Sequence, residues 1–397
     1  MVTRDVFTGE SLTEATYNTD TNYQTKLTYT FSSGSQKAST DYIVFFCAQI
    51  KINNGSGQVW MECRDGTGAV TLNEYKYSNK DNNDYIDVFW FDKWTSASSP
   101  ANQDFVIRYK TTNTLYTASI KNARIIVMEM LSGDQYAEQD TVQSTSSTSV
   151  WTDALTLSFT PGATENYYIL GATCLYAAGG STNIADARLD VDGTAYTQSD
   201  YRNEASGVIR PYMVGTRQSL TSGASRSIKL QVISGTASNS ASMDQIRLLA
   251  LPASNFDNAY YQEDRTESTY STDTTLQTKS TLTQTPLNKK HIIFGGAQMR
   301  SAGTSQSWGY ELSDGTTVFT SSRKENRSTS TTEYCSAFSM YMATLAASST
   351  TWTNKYKTYT AATNAGIDES FIMVLQAEGA AATFDVPDWV IHLEASG

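Results

Sequence analysis

The chain is short of ionisable and reactive side chains. Its 397 residues hold only 2 His, 4 Cys and 6 Pro, and charged residues make up 17%. Two imidazoles leave little scope for histidine chemistry or for a histidine-rich metal centre. Positive charge is the scarcer sign, 29 Lys+Arg against 40 Asp+Glu, for a net charge of −11. Gripping nucleic acid needs a basic footprint on the phosphates, so that class is excluded as the main task. No apolar run approaches the ~20 residues of a membrane span. The opening Met1-Val2-Thr3-Arg4-Asp5 has no apolar leader segment. The expectation is therefore synthesis and folding in a reducing cytoplasm.

What is abundant is hydroxyl and ring. Ser and Thr supply about a quarter of the chain, and Tyr reaches 24. Thr and Tyr suit a pleated, half-buried surface, so the composition leans towards β. The length corresponds to two to four domains at ~100–200 residues each.

Internal repetition narrows that range. Residues Glu14 to Lys26 match Glu267 to Lys279 at nine of thirteen positions, with a constant offset of 253. A degenerate middle copy is read at Ser144 to Thr160. Each copy is followed by an apolar strand: Tyr42–Phe46, Tyr168–Ala172 and His291–Gly295. An Asp-Gly-Thr turn then recurs at Asp65-Gly66-Thr67, Asp192-Gly193-Thr194 and Asp314-Gly315-Thr316. Each unit is expected to close on two apolar strands: Phe105–Tyr109 with Ile125–Met130, Ile228–Ile233 with Ile246–Leu251, and Phe371–Leu375 with Trp389–Leu393. On that reading the third unit carries about twenty extra residues, an enlarged loop, before its closing pair. Polar, turn-prone linkers near Ser132 and Ser254 divide the chain into 1–132, 133–254 and 255–397, units of about 125 residues.

Alternation describes one unit. Val59, Met61 and Cys63 share a face, opposite Trp60, Glu62 and Arg64, and Trp308, Tyr310 and Leu312 keep the same phase before their turn. In the middle unit Leu189 and Val191 stand one position nearer the turn, which a bulge would accommodate. Asp-Gly between alternating segments signals a tight hairpin. The fold class expected is all-β: three tandem β-sandwiches, jelly-roll-like from the unit length. A pseudo-threefold ring and a row of beads both remain open.

The candidate sites are few. Cys47, Cys63, Cys174 and Cys335 lack metal spacing and read as buried free thiols. Asp190-Val191-Asp192-Gly193 carries a trace of a calcium loop but no Glu at the bidentate position, so a hairpin is the better reading. The oxygen-rich Asp81–Asp87 reads as a solvated loop with a cation site as its rival. His291 stands where the other units have Tyr42 and Tyr168 and reads as a rim residue. His392 reads as solvent-facing. Neither has a nucleophile and acid arranged around it. Trp60 lies on the polar face of its strand, and Trp90 and Trp94 flank Phe91; they read either as packed under loops of unit one or as a surface for sugars or protein. No catalytic, cofactor or metal residue is assigned, and the chain is expected not to be an enzyme.

The Thr/Ser-rich openings at Glu14–Lys26 and Glu267–Lys279, the three Asp-Gly-Thr hairpins and the final strand Val390–Glu394 resemble the β-sandwich structural proteins of tailed bacteriophages. Head decoration (cement) proteins are the nearest in style. That resemblance implies a virion protein, made in the host cytoplasm, with the major capsid protein or another virion protein as partner and neither membrane nor nucleic acid. The rival is a carbohydrate- or receptor-binding fibre module. It would require exposed Trp or Tyr in every unit, and Trp60 has no aligned aromatic in unit two.

Overall fold

The computed structural model describes residues 4–19, 21–53, 57–66, 71–77, 85–177, 184–202, 210–235, 237, 239–270, 275–301, 306–326, 334–359 and 364–377. Among them the chain is all-β, with two single-turn 3₁₀ segments. Unit one contains β1 (Val6–Ser11), β2 (Ala15–Tyr17), β3 (Gln24–Phe31), β4 (Asp41–Ile52), β5 (Val59–Asp65), β6 (Thr71–Tyr77), β7 (Ile86–Thr95), β8 (Gln103–Thr111) and β9 (Ala118–Glu129). Unit two contains β10 (Gln135–Gln139), β11 (Gln143–Thr145), β12 (Thr152–Phe159), β13 (Glu165–Ala177), β14 (Ile184–Val191), β15 (Thr194–Arg202), β16 (Arg210–Leu220), β17 (Arg226–Ser234) and β18 (Ala241–Pro252). Unit three contains β19 (Ala259–Asp264), β20 (Ser268–Tyr270), β21 (Gln277–Gln284), β22 (Lys290–Ser301), β23 (Gln306–Ser313), β24 (Val318–Asn326), β25 (Tyr334–Thr344), β26 (Thr350–Thr358) and β27 (Ala365–Gln376).

Each unit is two antiparallel sheets in one strand order. The inner sheets run β1-β9-β4-β7, β10-β18-β13-β16 and β19-β27-β22-β25, with β2, β11 and β20 completing the first strand of each. The outer sheets run β3-β8-β5-β6, β12-β17-β14-β15 and β21-β26-β23-β24. Counting each broken first strand as one gives eight strands in the order 1-8-3-6 over 2-7-4-5, a jelly roll. Three tandem β-sandwich repeats are thus the architecture.

Register aligns the units more closely than sequence does. A bulge leaves Lys26, Ala154 and Lys279 unpaired at one place on β3, β12 and β21. A second bulge interrupts the inner sheets at Cys47/Gln49, Ala172/Cys174 and Gly296/Gln298. There the chain turns left-handed at Asn122 (φ 51), Gln245 (φ 49) and Glu369 (φ 46). Three unlike residues, none of them Gly, hold the same strained corner, so the corner belongs to the fold.

This register corrects four sequence readings. The counterpart of Ala15–Tyr17 is Gln143–Thr145, so the middle copy starts two residues before Ser144. His291 corresponds to Tyr42 and Tyr167, not Tyr168. In the middle hairpin the strand keeps its phase: Leu189 pairs with Leu230 as Cys63 pairs with Ile107 and Leu312 with Asn354; β14 needs no bulge against β17, and the bulge of the hairpin lies on the partner strand, at Thr197 of β15. The turn has moved instead. Val191 pairs directly with Thr194 around a two-residue loop, with both Asp192 (φ 51) and Gly193 (φ 83) left-handed. That is a type I′ turn, the twist-matched connection for a hairpin. In unit three a four-residue loop lies between Ser313 and Val318, and Asp314 Oδ1 accepts the N–H groups of Thr316 and Thr317. Finally, Phe371–Leu375 is the second strand of the closing pair of unit three, not the first. The segment expected as an enlarged loop contains β26, and Trp389–Leu393 lies outside the described residues.

The inner sheets explain the long apolar runs. β4 is buried from Tyr42 to Ile50 without alternation, because both of its faces are covered. In β13, Tyr167 and Ile169 face the outer sheet of their own unit, while Tyr168, Leu170, Ala172 and Cys174 join a core shared with the other units. In β22, Ile293 faces inward and Ile292 and Phe294 join the same shared core. The three inner sheets therefore meet back to back.

Candidate functional site

Of the residues picked out in the sequence, Cys47, Cys63 and Cys174 share one buried core, with Cys63 within electrostatic reach of the other two, and the rest form no constellation with them. Cys47, Cys63 and Cys174 are buried free thiols; burial pushes the Cys47 thiol up to about 11. The side chain of Cys335 and the whole of His392 lie outside the described residues, as do 81–84. Asp87 is described and is fully engaged within the fold, as shown below. Asp190 accepts the Gly193 N–H at 3.0 Å, and Asp192 pairs with Arg226 at 3.0 Å and accepts the Ser227 N–H at 2.8 Å. Those carboxylates brace a hairpin. His291 is no rim residue: it is wholly buried, with Nδ1 2.9 Å from the Lys289 carbonyl. Burial holds its imidazole below the usual pKa against that hydrogen bond. Trp94 packs on Phe31, Tyr42 and Phe105 within unit one. Trp90 is buried against another unit, beneath the Arg247 guanidinium.

What the fold does bring together is equivalent positions of the three units, and it does so in cyclic order. On β9, β18 and β27, Arg124, Arg247 and Phe371 occupy one register position, opposite Glu10, Glu138 and Glu263. Arg247 of unit two reaches Asp92 of unit one, 3.1 Å. Arg124 of unit one lies over the ring of Tyr341 of unit three, 5.5 Å from its centroid. Phe371 of unit three sits on Gly215 of unit two, where a Cβ would come within 2.4 Å of the ring. Asp92, Thr216 and Tyr341 are themselves equivalent on β7, β16 and β25. The contact is one head-to-tail interface made three times, and it closes.

The same strands meet at the centre. Phe89 of unit one stacks on Phe338 of unit three, centroids 4.1 Å apart and 24° between planes, and Phe45 packs on Phe294 at 5.4 Å. The Phe338 N–H donates to Asp87 of unit one at 3.3 Å, and the Met213 N–H donates to Ser336 of unit three at 3.1 Å. Register puts Pro211 of unit two at the third such place. The edge strands complete the circuit: β6 lies against β16, β15 against β25 and β24 against β7. Each covers an outer-sheet edge that would otherwise offer unpaired backbone groups. The linkers are tied in as well. Arg4 pairs with Asp134 at 2.8 Å and covers the Phe256 ring, while Asn255 donates to the Ser132 carbonyl at 3.0 Å.

Charge is admitted to this junction where it is paired. Arg247 contacts Asp92 through both Nε and Nη2 and reaches Asp140 at 2.7 Å. Burial disfavours its charge, but Asp92, Tyr136 and Asp140 outweigh that and hold its pKa above the ordinary value. Tyr136 donates to Asp92 Oδ1 at 2.6 Å, and burial followed by the Asp92 charge raises the phenol. The arrangement fixes geometry; it presents no nucleophile, no free acid–base pair and, among the described residues, no metal-ligating group of three.

A second recurrent feature lies on the solvent side of the outer sheets. In unit one the Lys110 ammonium sits between two half-buried rings, 4.2 Å from the centroid of Tyr23 and 4.3 Å from that of Trp60. In unit two the Arg188 guanidinium lies 4.3 Å over Trp151, which by register corresponds to Tyr23. In unit three Lys357, the counterpart of Lys110, lies 4.5 Å from Tyr359. The Tyr359 ring covers Gly309, the counterpart of Trp60, where a Cβ would approach it to 3.0 Å. Trp60 has no aligned aromatic in unit two, where Trp151 at a different strand end supplies the ring.

No protein-family description matches the chain, and no curated protein matches it. Among solved structures it is similar to the VP2 subviral particle of infectious bursal disease virus, at 10% identity over 94% of this chain and 81% of that one, TM-score 0.24. It is also similar to the triple jelly-roll protein of an archaeal virus turret, at 11% identity over 89% and 83%, TM-score 0.21. PNGF-II matches at 10% identity over 54% of this chain, TM-score 0.25, and the chain spans only 58% of that protein's length. At these scores the likenesses carry nothing about function.

Proposed function

We propose that the protein is a non-enzymatic structural component of a virion, a decoration or cement protein that caps a threefold or quasi-threefold site on the capsid. One observation carries this reading: three jelly rolls are closed into a cyclic, covalently joined pseudo-trimer by one interface used three times. A chain built this way presents three related faces around an axis, the symmetry that a threefold position of a larger shell offers. Each lobe then needs only a modest patch, because binding of one raises the effective concentration of the other two. Divergence among the lobes suits three non-identical neighbours. The polar Ser- and Thr-rich surface suits a wet, hydrogen-bonded contact. The partner in this reading is the major capsid protein or a neighbouring virion protein.

The test is reconstitution. Purified chain is added to capsids stripped of it, and bound copies are counted and located by cryo-electron microscopy. The expected result is saturable rebinding, one chain per threefold-related site. Absence of capsid affinity, or binding at positions with no threefold relation, contradicts the proposal.

A further inference from the structure

We infer that each lobe carries a binding site for an acidic saccharide at the cation-stacked rings of its outer sheet: Tyr23, Trp60 and Lys110 in unit one, Trp151 and Arg188 in unit two, Tyr359 and Lys357 in unit three. The inference goes beyond the capsid role and does not depend on it.

Three observations carry it. The first is recurrence in spite of divergence. The rings are not one repeated residue: Trp151 replaces Tyr23 from the same strand end, while Tyr359 leans over Gly309 into the place of Trp60. The aromatic character of this spot has thus been supplied from different positions in different units. The second is placement. The rings are partly solvent-accessible, stand on the face of the sheet turned away from the junction and belong to none of the hydrophobic cores. They also share one end of the sandwich, beside the starts of β3 and β12 and the end of β26. The third is chemistry. A flat ring offers its face to the C–H side of a pyranose, and the adjacent ammonium or guanidinium answers a carboxylate or sulfate on the same sugar. In a chain of net charge −11, Lys110 and Lys357 held beside rings are local exceptions that favour an anionic ligand, while Arg188 keeps one donor on Gln231 at 2.7 Å and shares its surroundings with Asp153, which makes unit two the weakest of the three sites.

Unit one, with two rings about a single ammonium, is the strongest of the three sites. Three sites on one rigid body favour a polymer over an oligomer, because later contacts form at raised effective concentration.

The probes are a hyaluronan octasaccharide, a polysialic acid chain and, as neutral control, dextran. They are titrated calorimetrically against the full chain, against Tyr23→Ala combined with Trp60→Ala in unit one, against Trp151→Ala, against Tyr359→Ala, and against the triple variant in which all three lobes carry these changes. The expected result is binding of at least one acidic probe, weak for the oligosaccharide and at least tenfold tighter for the polymer. Each variant that removes the rings of one lobe should lower the oligosaccharide stoichiometry by one site, and the triple variant should lose binding with its thermal midpoint little changed. A Lys110→Gln variant should weaken the acidic probe while keeping the fold. No binding of either acidic probe at millimolar concentration overturns the inference, as does equal binding of dextran or an unaltered isotherm for the triple variant.

Discussion

At the scale of single residues, the junction is decided by a few buried contacts with opposite tolerances. Arg247 and Asp92 are 3% and 8% exposed at their side chains, so removing Asp92 leaves the buried Arg247 only the exposed carboxylates of Asp140 and Glu138, and removing Arg247 leaves Asp92 a buried charge held by the Tyr136 hydroxyl. Asp92→Asn should destabilise by ~1–3 kcal/mol, the loss of charged hydrogen bonds at a site where Asp140 still pairs Arg247, and Arg247→Met in the same chain should recover part of that loss. Denaturant titrations of the two single variants and the double variant measure the coupling; additive effects would show that the pair does not act across the units. Gly215 admits Phe371 only because it has no Cβ. Gly215→Ala should cost ~1–3 kcal/mol through overpacking, and Phe371→Leu should partly restore it. His291 gives the expected pH response. Its folded pKa lies below the unfolded value of ~6.5, so the unfolded chain takes up the proton first and stability falls as pH drops through that value. The slope contributed is at most about 1.4 kcal/mol per pH unit. His291→Gln should flatten stability between pH 6.5 and the onset of carboxylate titration, read from unfolding midpoints across that range; an unchanged slope refutes the assignment.

At the scale of strands and turns, local chemistry was legible in the sequence and the third dimension was partly so. The Asp-Gly turns stand at equivalent hairpins of all three units, because a positive φ leaves few residue choices. The repeat opening was legible too, and its reason is now visible. Glu14 pairs with Lys51 and Glu267 with Arg300, while Lys26 and Lys279 donate to the carbonyls of Thr13 and Thr266. Unit two has Val142 and Ala154 in those places, and its copy is degenerate for that reason. The closing pair of unit three was missed because β26 reads Thr-Thr-Trp-Thr-Asn-Lys-Tyr-Lys-Thr, a strand with one apolar face whose alternation rests on Trp352 and Tyr356. The left-handed corner at Asn122, Gln245 and Glu369 left no sequence signal at all, since tertiary register imposes it. A Gln245→Gly substitution should therefore stabilise by up to ~1 kcal/mol by relieving that strain, although Gly usually weakens a strand. A loss of stability on thermal unfolding would count against the strained-corner account.

At the scale of the whole molecule, the closure of the three units is written into the composition of their inner strands. The unbroken apolar runs of β4, β13 and β22 require cover on both faces, and a solitary sandwich covers only one. Three sheets each with a second apolar face can satisfy one another by closing around an axis, and Phe45, Phe89, Phe294 and Phe338 mark where they do. The ring of outer-sheet rings was obscured for the converse reason: equivalent places are filled from non-aligned positions, which a position-by-position comparison does not connect. The proposed cap depends on the lobes being held in a closed set instead of strung in a line; the saccharide sites are each built within one lobe. Small-angle X-ray scattering of the purified chain measures that directly. Closure around a common junction predicts a radius of gyration of ~21 Å, the value for a compact body of this length. A value of ~30 Å or more, with the elongated distance distribution of three beads in a row, would contradict it.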